Sequence, residues 1–533
     1  MASRVSGGWR ALARRIDPFV LVIGVSVVLA RLVLSWSGVH LDLRGFQADG
    51  SEHYWQLLDP SWLRHDLLRS VWSLTMQPPL YNLGAGLWLH LPGSWQVPVV
   101  AVFLTGCFLT IALATYATMV LLGVHRVVAL LATMVLVVAD PGQALFATVP
   151  FYAEPTAALV TITAWLAVRC VRRPTTSSAA AFTSAAAATA LFNTSVQPLV
   201  VLLVVGLLIV ALPDARRAVV VGSLVPCLVL VGWSALQLGR VGTPATSTWL
   251  GMNLTHVTLN HAPPRQLDRL IAEGRISAQA KKPPFGPLSA YGVRPIPVGP
   301  PSSADARRPD GQDNYNNRAY ATVSSRYLAD ELAYVRAAPG HYLTMVSRGL
   351  RIWTIPEDQY FLFYTVTTVK PWETAYDHLV LLQGVRNPFI ALAGIAGEAT
   401  PIDQLSFTLI TATVLSLVGA PVVILGRWRR RRRLAVAMLV PWLVFTQAFV
   451  LTSLTESGEN NRFRFETGTT MVILSVVVAT SLLSAVISRR RPSGLEDRLD
   501  ALGWPEAPAA PDRAHRRPPD EDADPMADRT VVS

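Results

Sequence analysis

At 533 residues with 51% hydrophobic and only 15% charged side chains, and a mean hydropathy of +0.37, the chain is too apolar for a soluble enzyme of its size. It reads as an integral membrane protein. The net charge of +11 does not mark a nucleic-acid partner, because the arginines gather in short runs between apolar stretches, the distribution of positive-inside membrane proteins. Cys107, Cys170 and Cys227 lie in separate apolar stretches without paired spacing, so they are read as small core residues rather than a disulfide framework or zinc site.

Residues 1–16, with Arg4, Arg10, Arg14 and Arg15, are expected as a cytoplasmic N-terminus. The apolar run at 17–36 follows as an uncleaved first helix, with Arg31 near its outer end as a snorkelling cation or a neighbour of a phosphate. An external first loop, 37–96, then carries Asp49, Glu52, Asp59 and Asp66. The last three recur every seven positions, so a helical segment would align them on one face. Such carboxylates take a proton, hold a cation, or form the solvated face of a surface helix. Pro78 to Leu91 is apolar but short for a span, and is expected to lie along the membrane surface.

Further crossings are expected at 97–122, 127–140, from Glu154 to Arg169, 177–192, 198–212 and 218–236, completing an N-terminal transmembrane region over 17–237. Residues 238–404 form a mixed external segment, Pro-rich and mobile from Lys281 to Pro309, helical from Arg318 to Arg336, with packed or interfacial helices at 341–354 and 379–396. The C-terminal transmembrane region, 405–490, holds spans at 405–426, 434–453 and 468–487. Residues 491–533, rich in Pro, Asp, Arg and Ala, read as a disordered cytoplasmic tail. The expected fold class is therefore an all-α polytopic membrane protein with about ten transmembrane helices and both termini cytoplasmic. The first external loop carries surface helices, and the mixed external segment precedes the last three spans.

This topology gathers the unusual polar groups on one side: the acidic first loop, Tyr152 with Glu154, the turn from Asn193 to Gln197, Asn314 to Arg318, and the stretch from Glu456 to Glu466. In that last stretch Arg462 and Arg464 stand at alternate positions in an expected loop. They could form a fork for a phosphate at headgroup level, bind lipid headgroups, or pair with Glu459 and Glu466. There is no Gly-rich nucleotide loop. An enzyme facing outward has no nucleotide-sugar pool, which makes a lipid-phosphate sugar its natural donor.

Asp49-x-x-Glu52 followed by Gln77-Pro78-Pro79-Leu80-Tyr81-Asn82, then Tyr152-x-Glu154-Pro155, and finally Glu459-Asn-x-Arg462-Phe-Arg464, resemble the polytopic GT-C glycosyltransferases. The branch is the one similar to protein mannosyltransferases and lipid A aminoarabinose transferases, and the resemblance covers about residues 10–490. Gln77 stands where that family usually has His. The resemblance implies a cell-membrane, multi-pass enzyme that moves a sugar from a polyprenyl-phosphate donor to a hydroxyl of a glycan, lipid or protein acceptor. Transfer takes place on the external face and inverts the anomeric carbon. It implies Asp49 as general base with Glu52 as partner or second candidate, and Arg462 and Arg464 on the donor phosphate. Tyr152, Glu154 and Gln77 would orient the acceptor or the base. A divalent cation, magnesium or manganese, held by Asp49 and Glu52 is open on the same analogy. Asp59 and Asp66 are expected to be surface or structural. The alternative reading is a transporter or flippase of a lipid-linked saccharide, which calls for charges within the spans and repeat symmetry; a non-catalytic envelope scaffold is a further one.

Overall fold

The computed structural model describes residues 17–43, 54, 56–364, 366–385, 405–488, 495–502 and 504. Every named element among them is helical, and seven helices are long and apolar enough to cross a membrane. They are α1 (Pro18–Trp36), α5 (Gly93–Leu121), α8 (Ala153–Arg172), α11 (Arg216–Val241), α17 (Phe407–Trp428), α18 (Arg432–Thr455) and α19 (Asn460–Ser488). A multi-pass, all-α membrane protein is what these helices describe.

The other three expected crossings are also helices, but shorter or less apolar ones. Arg126–Thr133 (α6) runs eight residues and continues for five as a π-turn, and Pro198–Ala211 (α10) has 14, a length of roughly 21 Å against a hydrocarbon core of about 30 Å. Thr176–Phe192 (α9) is Ala-rich. Its small side chains let neighbours close on it. A Cβ on Gly222 of α11 would stand 2.4 Å from the Thr176 carbonyl oxygen and 2.8 Å from Ala179 Cβ, so α11 presses on α9 at a distance only glycine permits.

Side-chain contacts define two ends of the bundle. At one, Tyr116 donates to Asp17 at 2.9 Å, Arg126 pairs with Asp17 at 3.7 Å, and Arg431 pairs with Asp500 at 2.7 Å. The arginine runs at 169–173 and 427–433 belong to this end, because α8 finishes there and α18 begins there. A short helix, α20 (Leu495–Ala501), docks against it, burying Leu499 and Trp504, and Trp504 Nε1 donates to the Leu121 carbonyl at 2.8 Å. This part of the expected disordered tail is thus folded onto the bundle, because Leu495, Leu499 and Trp504 supply an apolar stripe.

The opposite end holds the polar groups. Here Pro79–Leu89 (α4) packs one side into the protein. It buries Tyr81, Asn82, Ala85 and Leu89, and Asn82 clamps the preceding chain, accepting from Leu58 N at 2.7 Å and donating to the Gln56 carbonyl at 2.9 Å. Asp59 and Asp66 do not share a helix face either. Asp59 is the buried N-cap of Pro60–His65 (α2), accepting from Ser61 N at 2.8 Å and lying 3.9 Å from Arg308. Asp66 ends that helix, opens Leu67–Trp72 (α3) and pairs with exposed Arg69 at 3.5 Å. Both are structural, as expected.

Side-chain hydrogen bonds hold the Pro-rich stretch from Lys281 to Pro309. Asn314 and Asn316 donate to the Ser302 carbonyl at 3.2 and 2.9 Å, and Asn317 donates to that of Ala304 at 2.9 Å. Amide side chains thereby satisfy backbone that proline keeps out of a ladder. Ala319–Ala337 (α14) follows where the sequence places a helix, then Pro339–Trp353 (α15). A Cβ on Gly349 would lie 2.7 Å from the Glu456 carbonyl oxygen. This close approach brings the end of α15 beside the start of α19.

Candidate functional site

The expected dozen-residue loop before α19 is only a tight turn, from Glu456 to Glu459. Glu456 Oε1 accepts from Ser457 N and Gly458 N, each at 2.9 Å, and Asn460 Nδ2 donates to the Thr452 and Glu456 carbonyls at 3.2 and 3.1 Å. The Glu456 side chain thus satisfies two turn N–H groups, and the Asn460 amide caps carbonyls at the end of α18. With α19 starting at Asn460, Arg462 and Arg464 both lie on a helix, and two residues at about 100° each carry them to nearly opposite sides. A fork of the two is therefore not what the backbone builds.

Arg464 is fully buried and structural in its contacts. Nε and Nη2 meet the two oxygens of Glu357 at 2.9 and 2.7 Å, Nη2 also donates to the Ile355 carbonyl at 2.8 Å, and Nη1 donates to that of Trp353. The guanidinium locks the chain leaving α15 onto α19.

Arg462 sits in different company. Nη1 donates to Glu466 Oε1 at 3.0 Å, one turn along the same face, and to the Tyr152 hydroxyl. Nε and Nη2 donate to a single oxygen, Glu459 Oε2, at 2.9 and 2.5 Å. The guanidinium lies 4.1 Å from the Phe463 ring centroid, 5.1 Å from that of Tyr152 and 5.5 Å from that of Phe151, so aromatic faces stabilise the cation. Behind it, Glu466 Oε2 accepts from the Ser195 hydroxyl, which with its own backbone N–H reaches Asn193 Oδ1 at 2.9 Å. Asn193 in turn donates to Thr156 at 3.2 Å. Burial pushes the Tyr152 phenol far above its ordinary range, against the pull of Arg462, so it serves as a neutral hydroxyl and not as a base.

Glu154 is completely buried two residues on. Its Oε2 accepts from Gln143 Nε2 at 2.7 Å, and its Oε1 has no hydrogen-bond partner. Arg31 points to this region, donating to the Ala144 carbonyl at 3.4 Å. Gln77 is half-buried at the end of a segment gripped from several sides. Gln237 Nε2 donates to the Leu74 carbonyl at 2.7 Å, Asn316 Oδ1 accepts from Thr75 N at 2.8 Å, and Ser247 donates to the Met76 carbonyl at 2.5 Å. On α4, Tyr81 donates to the Pro150 carbonyl at 3.2 Å and packs edge-on against Tyr152, with centroids 5.6 Å apart. The Gln-Pro-Pro-Leu-Tyr-Asn element and the Tyr-x-Glu element are therefore one assembly.

Asp49 and Glu52 lie outside the described residues. A cavity of about 680 Å³ lies between Gly38–Leu43, Thr148, Val149, Leu362, Phe363 and Val366–Thr368. Among the described residues no group of three or more His, Cys, Asp or Glu side chains is placed to hold a metal ion. Sequence reasoning missed Glu357 and Gln143 as partners. Glu357 stands 107 residues from the arginine it neutralises, and nothing local to Pro356-Glu357-Asp358 announces that pairing.

No family model, curated protein or solved structure matches the chain.

Proposed function

We propose that the protein is a membrane glycosyltransferase that moves a sugar from a polyprenyl-phosphate donor to an acceptor hydroxyl on the external side of the cell membrane. The observation that carries this reading is Arg462: a cation at one end of an apolar bundle, walled by aromatic rings, with its Nε and Nη2 edge turned to Glu459, whose side chain is partly exposed. That is the site a phosphate at headgroup level needs while its prenyl chain remains in lipid.

In this reading Asp49 takes the proton of the acceptor hydroxyl as its oxygen bonds to the anomeric carbon. The bond from that carbon to the phosphate oxygen breaks from the opposite side, giving inversion, and polyprenyl phosphate leaves on Arg462. Tyr152 holds Arg462 by hydrogen bond and ring contact. Glu154 and Gln77, positioned by Gln143 and by the clamp on residues 74–76, orient the acceptor or the base, and Glu52 is the partner of Asp49 or the second candidate for the base. Arg464 acts through the fold. A divalent cation would add charge neutralisation at Asp49 and Glu52 and enters none of these steps.

The test is transfer of radiolabelled sugar from a mixed pool of polyprenyl-phosphate sugars by the purified protein in detergent, wild type against Asp49→Asn. Transfer that the substitution removes, with the melting temperature unchanged, supports the reading. Equal transfer by both proteins excludes Asp49 as the base, and absence of transfer by wild type from every donor in the pool removes the support for a transferase.

A further inference from the structure

The two edges of the Arg462 guanidinium are held differently. Nη1 is committed to the Tyr152 hydroxyl and to Glu466, whose side chain is 0% exposed. The Nε and Nη2 edge is held by one carboxylate oxygen of Glu459, whose side chain is 33% exposed while that of Arg462 is 3%. That difference decides which partner can leave. Glu459 precedes α19, and only its backbone carbonyl, accepting from Arg462 N at 3.0 Å and Phe463 N at 3.2 Å, takes part in the first turn. Its side chain can rotate outward with those bonds intact. The edge it would vacate is the one through which arginine takes two oxygens of a phosphate in parallel.

We propose that Glu459 is a displaceable anion occupying the phosphate seat of Arg462, and that a lipid phosphate enters by replacing it. The proposal rests on the reading that Arg462 receives the donor phosphate. The carboxylate satisfies the Nε and Nη2 donors while no ligand is present, and its return helps expel the polyprenyl phosphate left after transfer. Occupancy by Glu459 lowers the apparent affinity by the fraction of time that the seat is filled. Removing its charge therefore strengthens binding, the opposite of what loss of a merely structural ion pair does.

The experiment is calorimetric titration of the full-length protein in detergent with farnesyl monophosphate, and in parallel with inorganic phosphate, for wild type, Glu459→Gln, Glu459→Asp and Arg462→Gln. The expected result is binding about tenfold tighter in Glu459→Gln, tighter also in Glu459→Asp, whose shorter arm does not reach the edge, and lost in Arg462→Gln. Tightening for inorganic phosphate as strong as for the prenyl compound supports the seat and makes free phosphate its ligand. Binding no tighter than wild type in whichever Glu459 variants keep the wild-type melting temperature overturns the proposal, as does wild-type protein that binds neither probe. Tighter binding without sugar transfer by any protein keeps the seat and removes the transferase, whereas transfer with unchanged affinity in both variants does the reverse.

Discussion

Replacing Arg464 by Met separates the roles of the two arginines that stand two positions apart in sequence. The substitution keeps most of the aliphatic volume and removes the charge, leaving the Glu357 carboxylate buried without its cation and the carbonyls of Trp353 and Ile355 without their donor. Breaking a buried ion pair from one side costs about 3–5 kcal/mol, and each stranded carbonyl adds about 1 kcal/mol or more. A loss at the upper end of that range is expected. The double variant Arg464→Met with Glu357→Met, which removes both charges, should recover a large part of it. Thermal unfolding in detergent, followed by intrinsic tryptophan fluorescence, reads the difference directly. Arg462→Met strands the buried Glu466 carboxylate in the same way, while Glu459 can turn to solvent, so it too should destabilise. If Arg464→Met melts with wild type while sugar transfer or phosphate binding disappears, Arg464 is part of the phosphate site and the structural assignment fails.

Other outcomes follow from the same contacts. Asn316→Leu removes the acceptor of Thr75 N and the donor to the Ser302 carbonyl; it should destabilise by about 1–3 kcal/mol and lower transfer through the Gln77 segment, read as a paired fall in melting temperature and turnover. Trp504→Ala empties a fully buried site beneath Leu121, and a loss of about 3–5 kcal/mol is expected, with donor binding at the far end unchanged by calorimetry. Burial pushes Glu331 up to about 8 from an ordinary 4.5. The folded protein therefore holds a proton that the unfolded chain has released between those values, and stability falls as pH rises from 4.5 to about 8. Glu331→Gln should reduce the slope of melting temperature with pH in that window, where other raised carboxylates also contribute, and an unchanged slope would contradict the assignment.

Apolar length and arginine placement made the membrane class and the two ends of the bundle legible in the sequence. So was the gathering of Tyr152, Glu154, Asn193, Arg462 and Glu466 at one end, since each stands at a helix end that alternation brings to the same side. The backbone between those positions was harder to read. The stretch around Arg462 and Arg464 looked like a loop because it is polar, yet its polar groups are satisfied by one another and by distant partners, which lets it be helical and buried. Likewise nothing in the short apolar stretch from Pro78 to Leu91 announced that Asn82 and Tyr81 bind backbone on either side of it. Pairings such as Arg464 with Glu357 join residues 107 apart in the chain and leave no local pattern.

The central claim is that Arg462, and not Arg464, receives the donor phosphate. The most direct test is donor saturation of sugar transfer, comparing wild type with Arg462→Gln once a donor in the pool has been found to react. Arg462→Gln, which leaves Glu466 buried without its cation, is expected to fold with a lowered melting temperature and to lose most of kcat/KM for the donor. Wild-type kcat/KM in a folded Arg462→Gln protein would contradict it.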